Sequence, residues 1–235
     1  MSIILKHIPN SITCCNLISG CIAIMFAFGG DMRQAMLWII IGAVFDFFDG
    51  MSARLLHVSS PIGKELDSLA DVVTFGVAPA TMLHTELLII DYPSFLAPYH
   101  TWIAFSAFLM AAFSALRLAK FNLDERQTTS FIGLPTPANA LFWSSLIVGS
   151  SNLLESSYWM LPVILAMMLL CCWLLVSELP MFALKFKQWG WKGNEVRYLF
   201  ILTSAVLLIL FRLTGFALII AWYVLLSVLL NKKQG

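Results

Sequence analysis

Charged residues are scarce in this chain of 235 residues, since Asp, Glu, Lys and Arg together make up only 11% of it. A soluble domain carries about 25% charged residues. Here 60% of the residues are apolar and the mean hydropathy is +0.87. This composition excludes an ordinary soluble domain and indicates that most of the chain faces lipid or other membrane helices. A bilayer core about 30 Å thick needs roughly 20 apolar residues per helix, so the length suffices for about seven or eight spans.

The sequence also lacks the paired cysteines and clustered histidines that hold zinc or form redox centres. Its five cysteines all lie in apolar stretches, and none belongs to a Cys-x-x-Cys pair (Cys14, Cys15, Cys21, Cys171 and Cys172). We interpret them as small buried apolar side chains. No internal repeat or separate soluble domain is visible, and the first apolar run lacks the cleavage site of an exported leader. That run is therefore predicted to be a retained first helix behind a short amphipathic lead.

Apolar runs between polar, proline or glycine breaks predict an all-α bundle of about eight transmembrane helices. Their predicted ranges are 11–29, 35–57, 66–90, 99–121, 134–152, 159–179, 196–212 and 214–231. We expect a six-helix core over residues 1–180. Residues 181–235 are expected to add a cytoplasmic loop and two further transmembrane helices.

The basic residues test this arrangement independently, because Lys and Arg concentrate in cytoplasmic loops. With the N-terminus inside, only Arg33 and Arg212 fall on the outer side. The other twelve fall on the inner side: Lys6, Arg54, Lys64, Arg117, Lys120, Arg126, Lys185, Lys187, Lys192, Arg197, Lys232 and Lys233. This asymmetry predicts eight spans with both termini in the cytoplasm.

Four of the thirteen acidic residues gather where the second and third predicted helices meet. Asp46 and Asp49 are three residues apart, and Asp67 and Asp71 are four apart, so each pair shares one face of its helix. An ionisable residue in a membrane helix costs about 2.5–3.5 kcal/mol on insertion scales and marks function by default. Converging carboxylates repel each other unless cations lie between them, and Mg²⁺ and Mn²⁺ prefer such oxygen ligands. The pattern predicts a site for two divalent ions, which suits in-line displacement at phosphorus; the alternative is four solvated acids at helix ends.

Three nearby residues fit a phosphate ligand at this site. Gly50 and Gly63 flank the acidic pairs, and glycine permits close backbone approach by a ligand or, alternatively, close helix packing. Arg54 lies five residues beyond Asp49, and its fork of donors suits a phosphate. The alternative for Arg54 is an anchor at the cytoplasmic surface.

Together these residues resemble the signature of the CDP-alcohol phosphotransferase family, D-x-x-D-G-x-x-A-R-x8-G-x3-D-x3-D. The sequence matches all eight specified positions with Asp46, Asp49, Gly50, Ala53, Arg54, Gly63, Asp67 and Asp71. The resemblance implies a helical membrane enzyme in which an acceptor hydroxyl attacks the diacylglycerol-bearing phosphorus of a CDP-linked lipid and CMP leaves. It extends over roughly the first 180 residues, which makes that region the expected catalytic core.

The resemblance also implies a role for individual residues. Asp46, Asp49 and Asp67 would hold one divalent ion, and Asp46, Asp67 and Asp71 the second, with Asp71 as general base. The residues implied in binding the CDP moiety are Gly50, Arg54, Ser60, Pro9 and Asn10. The ions implied are Mg²⁺ or Mn²⁺.

Two further segments bear on the acceptor alcohol. Residues 114–122 and 130–140 resemble segments of the bacterial and archaeal branch of the family that uses serine, and Thr13 and Asn16 fit the same branch. Lys120 stands where an arginine is more usual. The residues predicted to bind the acceptor are Arg117, Lys120, Asn122 and Thr136. Glycerol 3-phosphate and inositol phosphate would also require cations, so charge alone leaves these acceptors open.

The expected partners are CDP-diacylglycerol, L-serine and the lipid bilayer, with no nucleic acid. The resemblance implies a homodimer in a prokaryotic inner membrane with its active site on the cytoplasmic side. A transporter is an alternative class, but transporters usually show inverted repeats and broken helices at the membrane midplane. A membrane phosphatase using water as nucleophile is another.

Overall fold

The computed structural model describes residues 3–58, 60–124, 131–181, 190–191 and 194–231. Six of the basic residues used to predict the membrane orientation lie outside the described residues, namely Arg126, Lys185, Lys187, Lys192, Lys232 and Lys233. Most of the predicted loop after residue 181 also lies outside them.

The described part of the chain forms eight continuous helices. These are α1 (Ile3–Phe28), α2 (Met32–Leu55), α3 (Pro61–Ile89), α4 (Ala97–Leu123), α5 (Thr136–Leu154), α6 (Met160–Val176), α7 (Glu195–Phe211) and α8 (Thr214–Asn231). All eight predicted helices are thus present. α1 begins at Ile3 rather than at residue 11, so the expected amphipathic lead is part of the helix. α3 begins five residues before its predicted start.

A short antiparallel ribbon, which was not predicted, ties the segment before α5 to the segment after α6. Its strands are β1 (Phe131–Ile132) and β2 (Pro180–Met181), with Ile132 opposite Pro180. Strands of two residues leave no alternating apolar pattern in a sequence, which explains why the ribbon was missed.

Four helices, α1 to α4, are long and apolar enough to cross a membrane, while α6 and α8 are apolar but shorter. Large apolar side chains such as Met25, Trp102 and Ile209 are exposed on the outer faces, as expected for helices surrounded by lipid. The architecture is that of an integral membrane protein. The number of spans and the cytoplasmic position of the termini stay predictions.

The turn between α2 and α3 places the two acidic pairs side by side. α2 ends at Leu55, and His57 adopts a left-handed φ of 52° that reverses the chain. Ser60 then caps α3, because its Oγ accepts a hydrogen bond of 2.9 Å from the Gly63 backbone N–H. Pro61 opens the helix at a position where its missing N–H costs nothing.

Close packing of α1, α2 and α3 centres on Thr74, within a π-helical stretch Val72–Val77 of α3. The Thr74 hydroxyl donates a 3.0 Å hydrogen bond to the Asn16 carbonyl of α1. Gly20 and Gly42 leave room for Thr74, since a Cβ on Gly42 would lie 2.5 Å from Thr74 Cγ2 and 3.0 Å from Asn16 Oδ1. Small residues thus let the three helices approach closely just beyond the acidic pairs.

The C-terminal hairpin of α7 and α8 joins the core through α5. Gly149 of α5 packs directly against Thr214 at the start of α8. The Ser150 and Thr214 hydroxyls lie 3.3 Å apart, where Ser150 leaves helical geometry with a φ of −133°. These contacts fix the start of α8 at the end of α5 remote from Thr136.

Replacing Gly42 by valine is expected to destabilise the protein. The added side chain overlaps Thr74, and overpacking of this kind typically costs about 1–3 kcal/mol. The measurement is the thermal unfolding midpoint of the purified protein in detergent. Val44→Ile, on the exposed side of the same helix, is the control and should leave the midpoint unchanged. Equal midpoints for both variants would contradict the packing argument.

Candidate active site

The four aspartates singled out in the sequence converge where α2 and α3 meet. One carboxylate oxygen from each of Asp46, Asp49 and Asp67 lies within 4.8 Å of the other two. The Asp46 carboxylate also interacts with the carboxylates of Asp67 and Asp71. Asp71 interacts electrostatically with the other three. The helical spacing therefore predicted the convergence correctly, and the hairpin brings the two pairs together.

This cluster has the composition and burial expected of a divalent metal centre. Asp49 is 6% exposed and Asp71 is 8% exposed. Asp67 Oδ1 is buried and has no hydrogen-bond partner among the described residues. Enclosed carboxylates are costly without a compensating cation, and an all-oxygen donor set suits Mg²⁺ or Mn²⁺. The residues present thus fit a divalent ion.

Two polar residues of α1 orient the carboxylates. The Thr13 hydroxyl donates a 2.6 Å hydrogen bond to Asp49 Oδ2, and the Asn16 amide Nδ2 donates a 3.1 Å hydrogen bond to Asp71 Oδ1. Thr13 is 3% exposed and Asn16 is fully buried. Sequence reasoning gave these residues no role, although polar side chains three residues apart in an apolar helix were a signal. Their hydrogen bonds place α1 in the site.

A cavity of about 290 Å³ opens beside Asp49 and Asp67. It is lined by four of the five residues predicted to bind CDP, namely Pro9, Asn10, Gly50 and Ser60. A Cβ on Gly50 would meet no atom within 4 Å, so its backbone leaves the cavity open. Ser60 has a structural role as well, because the same hydroxyl caps α3.

Arg54, the fifth residue predicted to bind CDP, does not line this cavity. Its Nε donates a 3.0 Å hydrogen bond to the Gly50 carbonyl, one helical turn earlier in α2. Lys64, which the sequence reasoning did not select, lines the cavity and donates a 2.8 Å hydrogen bond through Nζ to the Asn122 carbonyl. Among the described residues that line this cavity, the basic side chain thus comes from α3.

Arg117 and Lys120, two of the residues predicted to bind the acceptor, line a second cavity of about 350 Å³. Arg117 is 7% exposed, and its guanidinium lies 5.1 Å from the centre of the Phe121 ring. It also interacts electrostatically with Asp71. The second cavity is therefore linked through Arg117 to the acidic cluster.

The other two residues predicted to bind the acceptor lie elsewhere. Asn122 Nδ2 donates a 2.8 Å hydrogen bond to Ser68 Oγ, which fixes α4 to α3 between Asp67 and Asp71. Thr136 is fully buried at the start of α5, and its hydroxyl has no hydrogen-bond partner among the described residues. Neither residue lines the second cavity. The geometry therefore favours a structural role for Asn122, which holds α4 against α3.

The chain is similar to several proteins named CDP-diacylglycerol–serine O-phosphatidyltransferase. It is 38% identical over 133 residues to the protein of Bacillus subtilis, covering 57% of this chain and 71% of that protein. It is 32% identical over 190 residues to that of Mycobacterium leprae, covering 75% of this chain and 58% of the relative. It is 37% identical over 149 residues to that of Methanocaldococcus jannaschii, covering 63% of this chain and 62% of the relative. The last two relatives are thus matched over less than two thirds of their length.

The sequence model of the CDP-alcohol phosphatidyltransferases matches residues 6–176. The matched region contains the acidic cluster and the helices α1 to α6 from residue 6 onward. It therefore includes the helical residues that line both cavities. The resemblance inferred from the aspartate signature is thereby confirmed, and this chain belongs to the CDP-alcohol phosphatidyltransferase family.

Proposed function

We propose that the protein transfers the phosphatidyl group of CDP-diacylglycerol to the hydroxyl of L-serine, giving phosphatidylserine and CMP. The observation that carries the proposal is the convergence of four aspartates beside a cavity lined by the residues predicted to bind CDP. Family membership supports the reaction class. The names of the relatives support serine as the acceptor.

Two divalent ions, Mg²⁺ or Mn²⁺, are proposed as cofactors. Asp46, Asp49 and Asp67 would hold one of them, and Asp46, Asp67 and Asp71 the other. When bound, such ions supply positive charge that stabilises the entering and departing oxygens in displacement at phosphorus. Thr13 supports this arrangement by holding the Asp49 carboxylate through a 2.6 Å hydrogen bond.

Asp71 is the proposed general base. Its Oδ1 accepts a hydrogen bond from Asn16, which fixes the orientation of the carboxylate. Asp71 takes the proton of the serine hydroxyl as the hydroxyl oxygen forms its bond to the diacylglycerol-bearing phosphorus. The bond from that phosphorus to the CMP oxygen breaks, and CMP leaves.

The two cavities divide the substrates between them. The CDP moiety is proposed to occupy the cavity lined by Pro9, Asn10, Gly50 and Ser60, with Arg54 available to a phosphate at its edge. The acyl chains remain in the lipid beside the helices. The serine carboxylate is proposed to bind Arg117 and Lys120 in the second cavity, which Arg117 connects to Asp71.

We also propose how the chain is arranged in the membrane. Residues 1–180 form the catalytic core, and residues 181–235 add a loop and two transmembrane helices; the end of the family match at residue 176 supports this division. Both termini and the active site face the cytoplasm of a prokaryotic inner membrane. The protein is proposed to be a homodimer.

Replacing Asp71 by asparagine should abolish most of the activity. The amide cannot accept the serine proton, and loss of a general base typically costs about 10²–10⁴-fold in rate. The measurement is CMP release from CDP-diacylglycerol by purified protein with Mn²⁺ and serine. The exposed Asp91→Asn, in the loop between α3 and α4, is the matched control. Activity of the Asp71 variant close to that of the unmodified protein would contradict its assignment as base.

Serine should be the acceptor that supports CMP release. The unmodified protein is offered serine, glycerol 3-phosphate, inositol phosphate or no acceptor, each with and without EDTA. Among these acceptors, we expect only serine to support CMP release. Chelation by EDTA should abolish this release, and added Mg²⁺ or Mn²⁺ should restore it. Release with another alcohol would keep the reaction class and overturn serine. Release of phosphatidic acid without any alcohol would instead indicate a hydrolase.

The proposed orientation predicts opposite labelling of two single cysteines in a variant whose native cysteines have been replaced. Asp91→Cys lies after α3 and should react with an impermeant maleimide in intact bacterial cells. Glu65→Cys, near the start of α3, should react only after the cells are permeabilised. The reverse pattern would invert the orientation of the bundle.

A further inference from the structure

The second cavity carries charges of both signs. Its walls include the cations Arg117 and Lys120 of α4, and the carboxylates of Asp124, at the end of α4, and Glu178, just after α6. The sequence reasoning assigned no role to either carboxylate.

The wall that carries Glu178 is held in place by backbone contacts. The Gly133 N–H donates a 2.9 Å hydrogen bond to the Leu179 carbonyl, and the Leu134 N–H donates one of 2.9 Å to the Leu174 carbonyl. Gly133 has a left-handed φ of 73°, and a Cβ there would lie 2.9 Å from the carbonyl oxygens of Leu175 and Ser177. The segment before α5 therefore holds the end of α6 through hydrogen bonds to residues that precede and follow Glu178 in the chain.

The end of α6 adds negative potential to the same wall. Val176, the last residue of α6, lines the cavity, and its carbonyl accepts a 3.3 Å hydrogen bond from Lys120 Nζ. Carbonyl groups at a helix C-terminus favour a nearby cation. On the α4 side, Lys120 and Asp124 are four residues apart and share one face. Arg117 thus provides a cation toward Asp71, whereas the rest of the cavity carries Glu178, Asp124 and the end of α6 together with Lys120.

We propose that Glu178, together with Asp124, binds the ammonium group of the acceptor, so that this cavity selects a zwitterionic amino acid over anionic phosphate-bearing alcohols. The inference rests on the proposed function and goes beyond it by naming the groups that determine acceptor choice. An acceptor with a carboxylate and an ammonium group matches the charges of both signs in this cavity. A phosphate monoester would bring its charge against two carboxylates, and such like-charge contact is an effective means of rejecting a wrong partner.

The test compares two acceptors in Glu178→Gln and in the unmodified protein. L-Serine has the ammonium group, and 3-hydroxypropanoate has the same hydroxyl and carboxylate without it. The KM for serine in CMP release is expected to rise about 10- to 100-fold in Glu178→Gln, as for loss of one hydrogen bond between charged groups, with the loss falling on KM rather than on kcat. The rate with 3-hydroxypropanoate should not fall, because that acceptor makes no bond to Glu178 and the substitution removes a negative charge near it.

Further variants distinguish a loss of ammonium binding from a general loss of activity or folding. Glu155→Gln, an exposed carboxylate at the far end of α5, should leave both acceptors unaffected. Asp124→Asn should repeat the serine-specific loss, and an unchanged KM for CDP-diacylglycerol shows that each variant is folded.

An unchanged KM for serine in both variants, or an equal loss with 3-hydroxypropanoate, would overturn the role of Glu178 and Asp124 while the serine reaction stands. Failure of the unmodified protein to use serine at all would instead overturn the proposed function, and with it this inference.

Discussion

The requirement to hold four carboxylates together inside a membrane protein governs much of this structure. Asp46, Asp49, Asp67 and Asp71 repel one another, and water is largely excluded from around Asp49 and Asp71. Divalent cations relieve such repulsion, and the composition and burial of the cluster fit a metal ion. The surrounding structure serves to keep the carboxylates aligned. Thr13 and Asn16 anchor Asp49 and Asp71 from α1, and Asn122 ties α4 to α3 at Ser68, between Asp67 and Asp71.

Helix packing and chemistry meet at the π-helical stretch of α3. Val72–Val77 follows Asp71 directly, and Thr74 within it is enclosed by Gly20 and Gly42. π-Helical stretches occur frequently at functional sites, because the extra residue per turn redirects the side chains around it. Here the close approach of α1 and α3 also brings Asn16 to Asp71. Gly20 and Gly42 therefore contribute to the site by letting the helices approach closely.

The two cavities are formed by different helices of the bundle. One lies between α1, α2 and α3, and its lining combines the small residues Gly50, Ala53 and Gly63 with Asp49, Asp67 and Lys64. The other lies between the ends of α4 and α6 and is lined by charges of both signs. Arg117 lines the second cavity and interacts with Asp71 of the cluster. In the proposed reaction, Arg117 would therefore link an acceptor in the second cavity to Asp71.

The sequence by itself determined the helices and the acidic cluster, because both follow from local spacing. Apolar runs predict membrane helices through hydropathy alone, and spacings of three and four residues place Asp46 with Asp49 and Asp67 with Asp71 on shared faces. Only the tertiary structure decided which distant residues join them. Thr13 lies 36 residues from Asp49, and Glu178 lies on a segment that Gly133 holds from another part of the chain. The tertiary structure also decided that Asn122 bonds Ser68 and that Thr136 is buried away from the second cavity. Such contacts depend on how the helices pack, and packing leaves no periodic pattern in the sequence.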